Sequence, residues 1–223
     1  MRTFNQPYEN LTPAMALQLL KHGNFRFINN LGIERDHIVS VNETKDAQYP
    51  FAAIVSCMDS RTSPELIFDQ GFGDIFSIRV AGNVISPDVL GSLEYATSVA
   101  GSNLIVVLGH TNCGAVMGAC NHVKMGNLTG LLSKIEPAMH MEVKTNKNRD
   151  GKNLEYVNAV AKLHAIHSER QILEGSTIIR DLVYSGQAGI ISAMYNISNG
   201  KVHFYHDEAI LWKATEDIEH QIA

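Results

Sequence analysis

Long hydrophobic runs are missing from this chain of 223 residues: no stretch approaches the roughly eighteen apolar residues that span a bilayer, so a membrane-spanning helix is not expected. The first residues, Met1-Arg2-Thr3-Phe4-Asn5-Gln6, lack a basic stretch followed by an apolar core, and with no secretory leader visible the expected compartment is the cytoplasm. Cysteine is scarce. Three residues, Cys57, Cys113 and Cys120, are too few for a disulfide scaffold, and an odd number in a reducing compartment points to metal binding or free thiols. Positive charge is sparse too: 18 Lys and Arg against 23 Asp and Glu leave a formal charge of -5, and the cations are scattered, so neither nucleic acid nor an anionic membrane is an expected partner. There is no internal repeat and no low-complexity tract.

What is present suits a soluble α/β protein. With 45% hydrophobic residues the chain can bury a substantial core as one domain, residues 1–223. Thr12-Pro13 is a helix cap followed by proline, and Met15, Leu19, Leu20 and Ile28 recur at helical spacing, which predicts a helical N-terminal arm within residues 1–32. A polar connector from Gly32 to Tyr49 leads into Phe51–Ser56, a buried strand. A short helix at Ser63-Pro64-Glu65, a strand over Asp74–Val80, a turn at Ala81-Gly82-Asn83, a helix over Val89–Val99 and a strong strand at Asn103–Leu108 continue an alternating pattern. A helix is expected to start near Cys113-Gly114-Ala115. Further on, Met141–Asn153 reads as a surface loop, Leu154–Leu173 and Ile178–Val183 as helices, and Ala188–Tyr195 with Lys201–Tyr205 as a closing hairpin. The predicted architecture is a central, mostly parallel β-sheet flanked by helices, with the hairpin at its edge.

Two cassettes end the first and third predicted strands: Cys57-Met58-Asp59-Ser60-Arg61 and His110-Thr111-Asn112-Cys113. Two thiolates and one imidazole are the donor set of a catalytic zinc, which keeps a fourth position open, whereas structural sites close all four with protein. Strand ends of an open parallel sheet face one crevice, so both cassettes can converge there. Two thiolates already neutralise the dication, so such a metal acidifies water less than a three-histidine site does, and neighbours should assist. Asp59 is placed to orient a zinc-bound hydroxide while Arg61 holds it in a charge-assisted fork. Alternatively Asp59 swings onto the metal as a fourth ligand and switches the site off.

These residues resemble the signature of the β-class carbonic anhydrases, Cys-x-Asp-x-Arg followed some fifty residues later by His-x-x-Cys. Gly23–Phe27, Ala81-Gly82-Asn83, Gly91–Ala96 and Gly109–Gly114 are similar to family patterns as well. The resemblance implies one Zn2+ per subunit on Cys57, His110 and Cys113, reversible hydration of carbon dioxide to bicarbonate, and Asp59 with Arg61 as the catalytic pair. It also implies a plant-like substrate pocket of Gln48, Phe76 and Tyr95, formed across the interface of a dimer or dimer of dimers, with the arm wrapped around the partner. Ile54 stands where allosteric members carry a tryptophan, so bicarbonate inhibition of that kind is not expected, although Arg79 occupies the position of that site's arginine. Ser56 stands where many relatives have a smaller residue and could alter hydrogen bonding to Cys57. Hydrolysis of carbonyl sulfide or carbon disulfide on the same ligands, or a zinc that only stabilises the fold, are the competing readings. His164 and His167, three apart on a predicted helix, read as a solvated face, and Cys120 as a packed thiol.

Overall fold

The computed structural model describes residues 11–205. Several of its helices start where the sequence puts a hydroxyl, carboxylate or carboxamide cap, some with proline just behind it. Thr12 accepts from the Met15 N–H ahead of α1 (Pro13–Ile28), and Asp36 accepts from Ile38 and Val39 N–H ahead of α2 (His37–Thr44). β1 (Ala52–Ser56), α3 (Pro64–Ile67) and β2 (Ile75–Arg79) follow, then a 3-10 turn over Ala81–Asn83 and α4 (Pro87–Glu94), which is capped by Ser86. α4 runs on into a π-helical turn, Tyr95–Val99, where the Ala100 N–H donates to the carbonyl of Tyr95 at 2.9 Å. β3 (Leu104–His110), α5 (Gly114–Cys120), α6 (Gly126–Ser133), α7 (Glu136–Met141), α8 (Leu154–Gly175), α9 (Thr177–Tyr184), β4 (Gly189–Tyr195) and β5 (Val202–Phe204) complete the described chain.

Among the described residues the strands form a five-stranded sheet in the order β2-β1-β3-β4-β5, parallel except for the antiparallel edge strand β5. Every residue of β1, β3 and β4 is buried, as expected when helices cover both faces of a parallel sheet. One face, with Ile54, Leu104, Val106 and Ile191, packs on Leu17 and Leu20 of α1 and Ile67 of α3. The other, with Val55, Ile105, Val107 and Ile190, packs on Leu93 of α4, Ile172 of α8 and Ile179 of α9. From β1 the chain steps outward to β2 and then returns to β3 on β1's other side. The order therefore reverses between β1 and β3, and the crevice that such a reversal opens lies at their carboxyl ends.

The predicted alternation and closing hairpin are observed, with two departures. The connector over residues 32–49 contains α2, which has no buried residue and whose apolar side chains Ile38, Val39 and Val41 face solvent; without a packed face it leaves little periodic signal. Past Met141, the last residue of α7, the segment to Asn153 is irregular, as expected, yet its first turn is pinned inward: buried Glu142 accepts from the N–H groups of Lys144 and Thr145 and from Arg149, whose guanidinium lies over the Tyr156 ring. The arm helix α1 docks on its own sheet, with the Asn24 side chain tying the carbonyls of Ile67 and Gly200 and the N–H of Val202. Residues 1–10 of the predicted arm lie outside the described residues.

Candidate metal centre

Cys57 follows β1 directly, His110 is the last residue of β3, and Cys113 caps α5. All three are at most 4% exposed, and one donor atom from each lies within 4.8 Å of the others. The two Sγ atoms are 3.9 Å apart. Two sulfurs bound to one tetrahedral zinc at about 2.3 Å would sit about 3.8 Å apart, so the spacing suits that ion. His110 Nδ1 lies 2.9 Å from the Thr111 carbonyl, which only accepts; Nδ1 therefore carries the proton and Nε2 presents a lone pair. That Nε2 is buried with no hydrogen-bond partner among the described residues. A buried acceptor with nothing to accept from, facing two thiols, fits a metal ion.

The thiol of Cys57 is poised to lose its proton. The hydrogen bond with Cys113 comes first and, with the Gly82 N–H and the Asp59 backbone, outweighs burial and brings its pKa well below the usual thiol range. Cys113, which donates to Cys57 and is itself buried, is pushed up. The Gly82 N–H donates to Cys57 Sγ at 3.2 Å from a residue at φ 66°, a left-handed conformation that glycine adopts without steric cost.

Asp59 stands outside the three-donor group. Arg61 donates from Nε to Oδ1 at 2.9 Å and from Nη2 to Oδ2 at 2.7 Å, and its backbone N–H reaches Oδ1 at 3.0 Å. That fork, chiefly, holds the Asp59 carboxyl well below the usual carboxylate range, so it is an acceptor across the physiological range. Of the two positions expected for Asp59, the structure has the one held by Arg61.

Some contacts were missed in the sequence. Arg79 donates to the carbonyls of Cys57 at 3.2 Å and Asp59 at 2.6 Å, so in this chain it braces the Cys57–Arg61 loop. Asn158 Oδ1, on α8, accepts the Asn112 N–H between His110 and Cys113 at 2.8 Å. His164 is 1% exposed, which overturns its reading as part of a solvated face; His167 is half-buried. The signal was there, since Val157, Val160, Ala161 and Ala165 form an apolar stripe on which His164 falls. Cys120 is a packed thiol, as expected, pushed up to about 11 mainly by burial. The Ser56 hydroxyl is buried with no partner among the described residues and makes no bond to Cys57.

The expected pocket residues lie elsewhere. Phe76 and Tyr95 meet edge to face at 6.1 Å and line an open cleft with Pro87, Asp88 and Gly91. Phe76 pairs with Ala53, four residues before Cys57, which at about 3.3 Å per strand residue puts it some 13 Å along the strand from the thiol. Gln48 is exposed, with its Cβ beside the Gly73 turn.

The family model for carbonic anhydrase matches residues 52–202, the span that carries every one of these donors. The chain belongs to the carbonic anhydrase family. It is 35% identical over 200 residues to carbonic anhydrase 2 of Mycobacterium tuberculosis, covering 86% of this chain and 92% of that one. To the carbonic anhydrase of Mycolicibacterium smegmatis it is 34% identical over 204 residues, covering 86% and 93%. The fold is that of the β class. It superposes on a Coccomyxa β-carbonic anhydrase in complex with acetazolamide at TM-score 0.67, with 22% identity, covering 75% of this chain and 77% of that one. It superposes on a tetrameric β-carbonic anhydrase from Sordaria macrospora at TM-score 0.65, with 22% identity over 73% and 83%. Among the described residues no helix is long and apolar enough to cross a membrane.

Proposed function

We propose that this protein is a zinc enzyme that hydrates carbon dioxide reversibly to bicarbonate and a proton. The observation that carries this reading is the buried Cys57, His110 and Cys113 donor set, with His110 Nε2 left without a partner, at the strand-order reversal of a carbonic anhydrase fold. A zinc ion held by these three supplies a Lewis acid and, from water, a strong nucleophile at neutral pH.

The rest of the chemistry belongs to the chain. Asp59, kept ionised by Arg61, accepts a hydrogen bond from the attacking oxygen and turns its lone pair toward the carbon of the substrate. Arg61, 53% exposed at its side chain, keeps the carboxylate off the donor set while the fork lasts. If the fork opens, Asp59 is free to swing toward the donors and close the site. The proton released in each turnover leaves to buffer, since the Asp59-Arg61 pair lies at the solvent boundary.

Gln48, Phe76 and Tyr95 form the substrate pocket of a neighbouring subunit's metal centre, and the working unit is a dimer or a dimer of dimers. Their distance from their own chain's thiols supports this, as does the apolar surface left in water beside them: Tyr95 is 52% exposed and Val99, four residues further on, 71%. Residues 1–223 act as one domain, and the outer face of α1, where Phe25 and Phe27 stay exposed while its inner face packs on its own sheet, lies along the partner. Stopped-flow hydration with a pH indicator on zinc-loaded protein tests the proposal. Rapid, zinc-dependent turnover that collapses in Asp59→Ala with zinc retained is the expected result. No turnover at full zinc occupancy from neutral to alkaline pH overturns it and turns attention to carbonyl sulfide and carbon disulfide.

A further inference from the structure

The second fully buried histidine near this centre is not one of its donors. His164, on α8, has Nε2 2.9 Å from the carbonyl of Gly82. A carbonyl only accepts, so Nε2 carries the proton, and Nδ1 is left as a buried acceptor with no partner among the described residues. Desolvation lowers its pKa to about 4, so the ring is neutral at physiological pH and acts as a plain hydrogen-bond donor.

An alkyl side chain would fill the apolar stripe of α8 without burying an unpartnered nitrogen, so the histidine calls for another explanation. Gly82 supplies one. Its N–H is the donor to Cys57 Sγ, and it sits in the left-handed region, where glycine's backbone is least confined by its own sterics. The N–H and the carbonyl of one residue are joined through only two rotatable bonds, so holding the carbonyl narrows the direction in which the N–H points. α8 also holds the second ligand loop, through Asn158 and the Asn112 N–H, and so stands behind both cassettes as a brace.

We propose that His164 is a positioning residue for the metal centre, holding the Gly82 carbonyl so that the Gly82 N–H stays aimed at Cys57 Sγ. The inference rests on the zinc-enzyme reading above and deepens it. A hydrogen bond to a ligating sulfur draws electron density from it and fixes its lone pairs, so the effect belongs in metal affinity and in the sulfur-to-metal spectrum before it reaches turnover.

The test compares His164→Leu, which removes the donor, His164→Asn, whose amide stops at the level of Nδ1, and His164→Gln, whose amide reaches the level of Nε2. Each full-length protein is checked for folding by circular dichroism. Zinc affinity is measured by chelator competition, and the thiolate-to-cobalt charge-transfer band is recorded on cobalt-substituted protein. The leucine and asparagine variants should lose zinc affinity about tenfold or more and shift the band, and the glutamine variant should return both to near wild type. Where leucine does not fold, the contrast between asparagine and glutamine decides alone. Folded variants that all match wild type in affinity and band overturn the proposal, and so do three variants impaired alike, which would mark a packing role. These readouts need no turnover, so a wild type that binds metal but does not hydrate carbon dioxide overturns the proposed function alone, while a wild type that binds no metal overturns both.

Discussion

Cys57, His110 and Cys113 are at most 4% exposed and meet within one chain, whereas Tyr95 is 52% exposed and meets Phe76 in a cleft open to solvent. The first group is finished: strand ends aim the donors, and Arg79, Gly82, Asn158 and Thr62 hold the loops, the last through its hydroxyl to the carbonyls of Cys57 and Asp59. The second is open to solvent. Aromatic side chains that stay in water on a folded chain forgo about 25 cal/mol for each Å2 they could bury, and a patch of them beside a polar rim is the usual surface for another subunit. The contrast teaches that the metal donors are brought together and braced within one chain, and the proposed two-subunit pocket accounts for the aromatic pair that this chain leaves in water.

The contrast breaks most severely if a ligand is removed. Cys113→Ser should lower zinc affinity by more than about a hundredfold, beyond the loss typical of an outer partner, and bring hydration to background; elemental analysis after dialysis and stopped-flow assays check it. Asp59→Ala should keep zinc and lose about a hundredfold or more in kcat, with the same two measurements separating binding from chemistry. Val99→Glu places a charge in the exposed apolar patch. It should shift the protein toward monomers in light scattering and lower kcat/KM about tenfold or more, with zinc retained. Retained activity in a true monomer would refute the two-subunit pocket. Phe76→Ala should cost less, several-fold in kcat/KM, at unchanged zinc content and assembly.

The last effect is on stability and leaves neutral pH untouched. His164 titrates at about 4 when folded, against about 6.5 in an unfolded chain, so between those values the unfolded state binds the extra proton. Stability is fully present above pH 6.5 and falls as pH drops toward 4, by up to about 3 kcal/mol from this group. Denaturant melts at pH 7 and pH 4.5 should show a smaller acid loss in His164→Gln than in wild type. Equal losses would mean that His164 is not the group that must be kept neutral.

Much of the fold was legible because buried parallel strands announce themselves: Ala52–Ser56 and Leu104–His110 are short β-branched or aliphatic runs bounded by turns, and the cassettes hang directly on their ends. The strand carrying His110 extends two residues further than Leu108, which brings the ligand itself into the sheet opposite Tyr195. The helix α2 was not legible because nothing among the described residues buries it. His164 was misjudged because a histidine at helical spacing looks the same whether its face meets water or a glycine carbonyl 82 residues earlier.

Residue types and spacing were enough to determine the donor set, the acid beside it with its arginine, and the alternating strand and helix that carry them. These are local facts: a ligand at a strand end needs only the strand to form. The tertiary structure alone decided which backbone amide meets the Cys57 sulfur, that Asp59 stands outside the donor set, that Arg79 and α8 brace the loops, and that Phe76 and Tyr95 meet in a cleft apart from the donors. Each of these depends on the β2-β1-β3 order and on how the helices pack against it, contacts between residues far apart in the chain that no local pattern encodes.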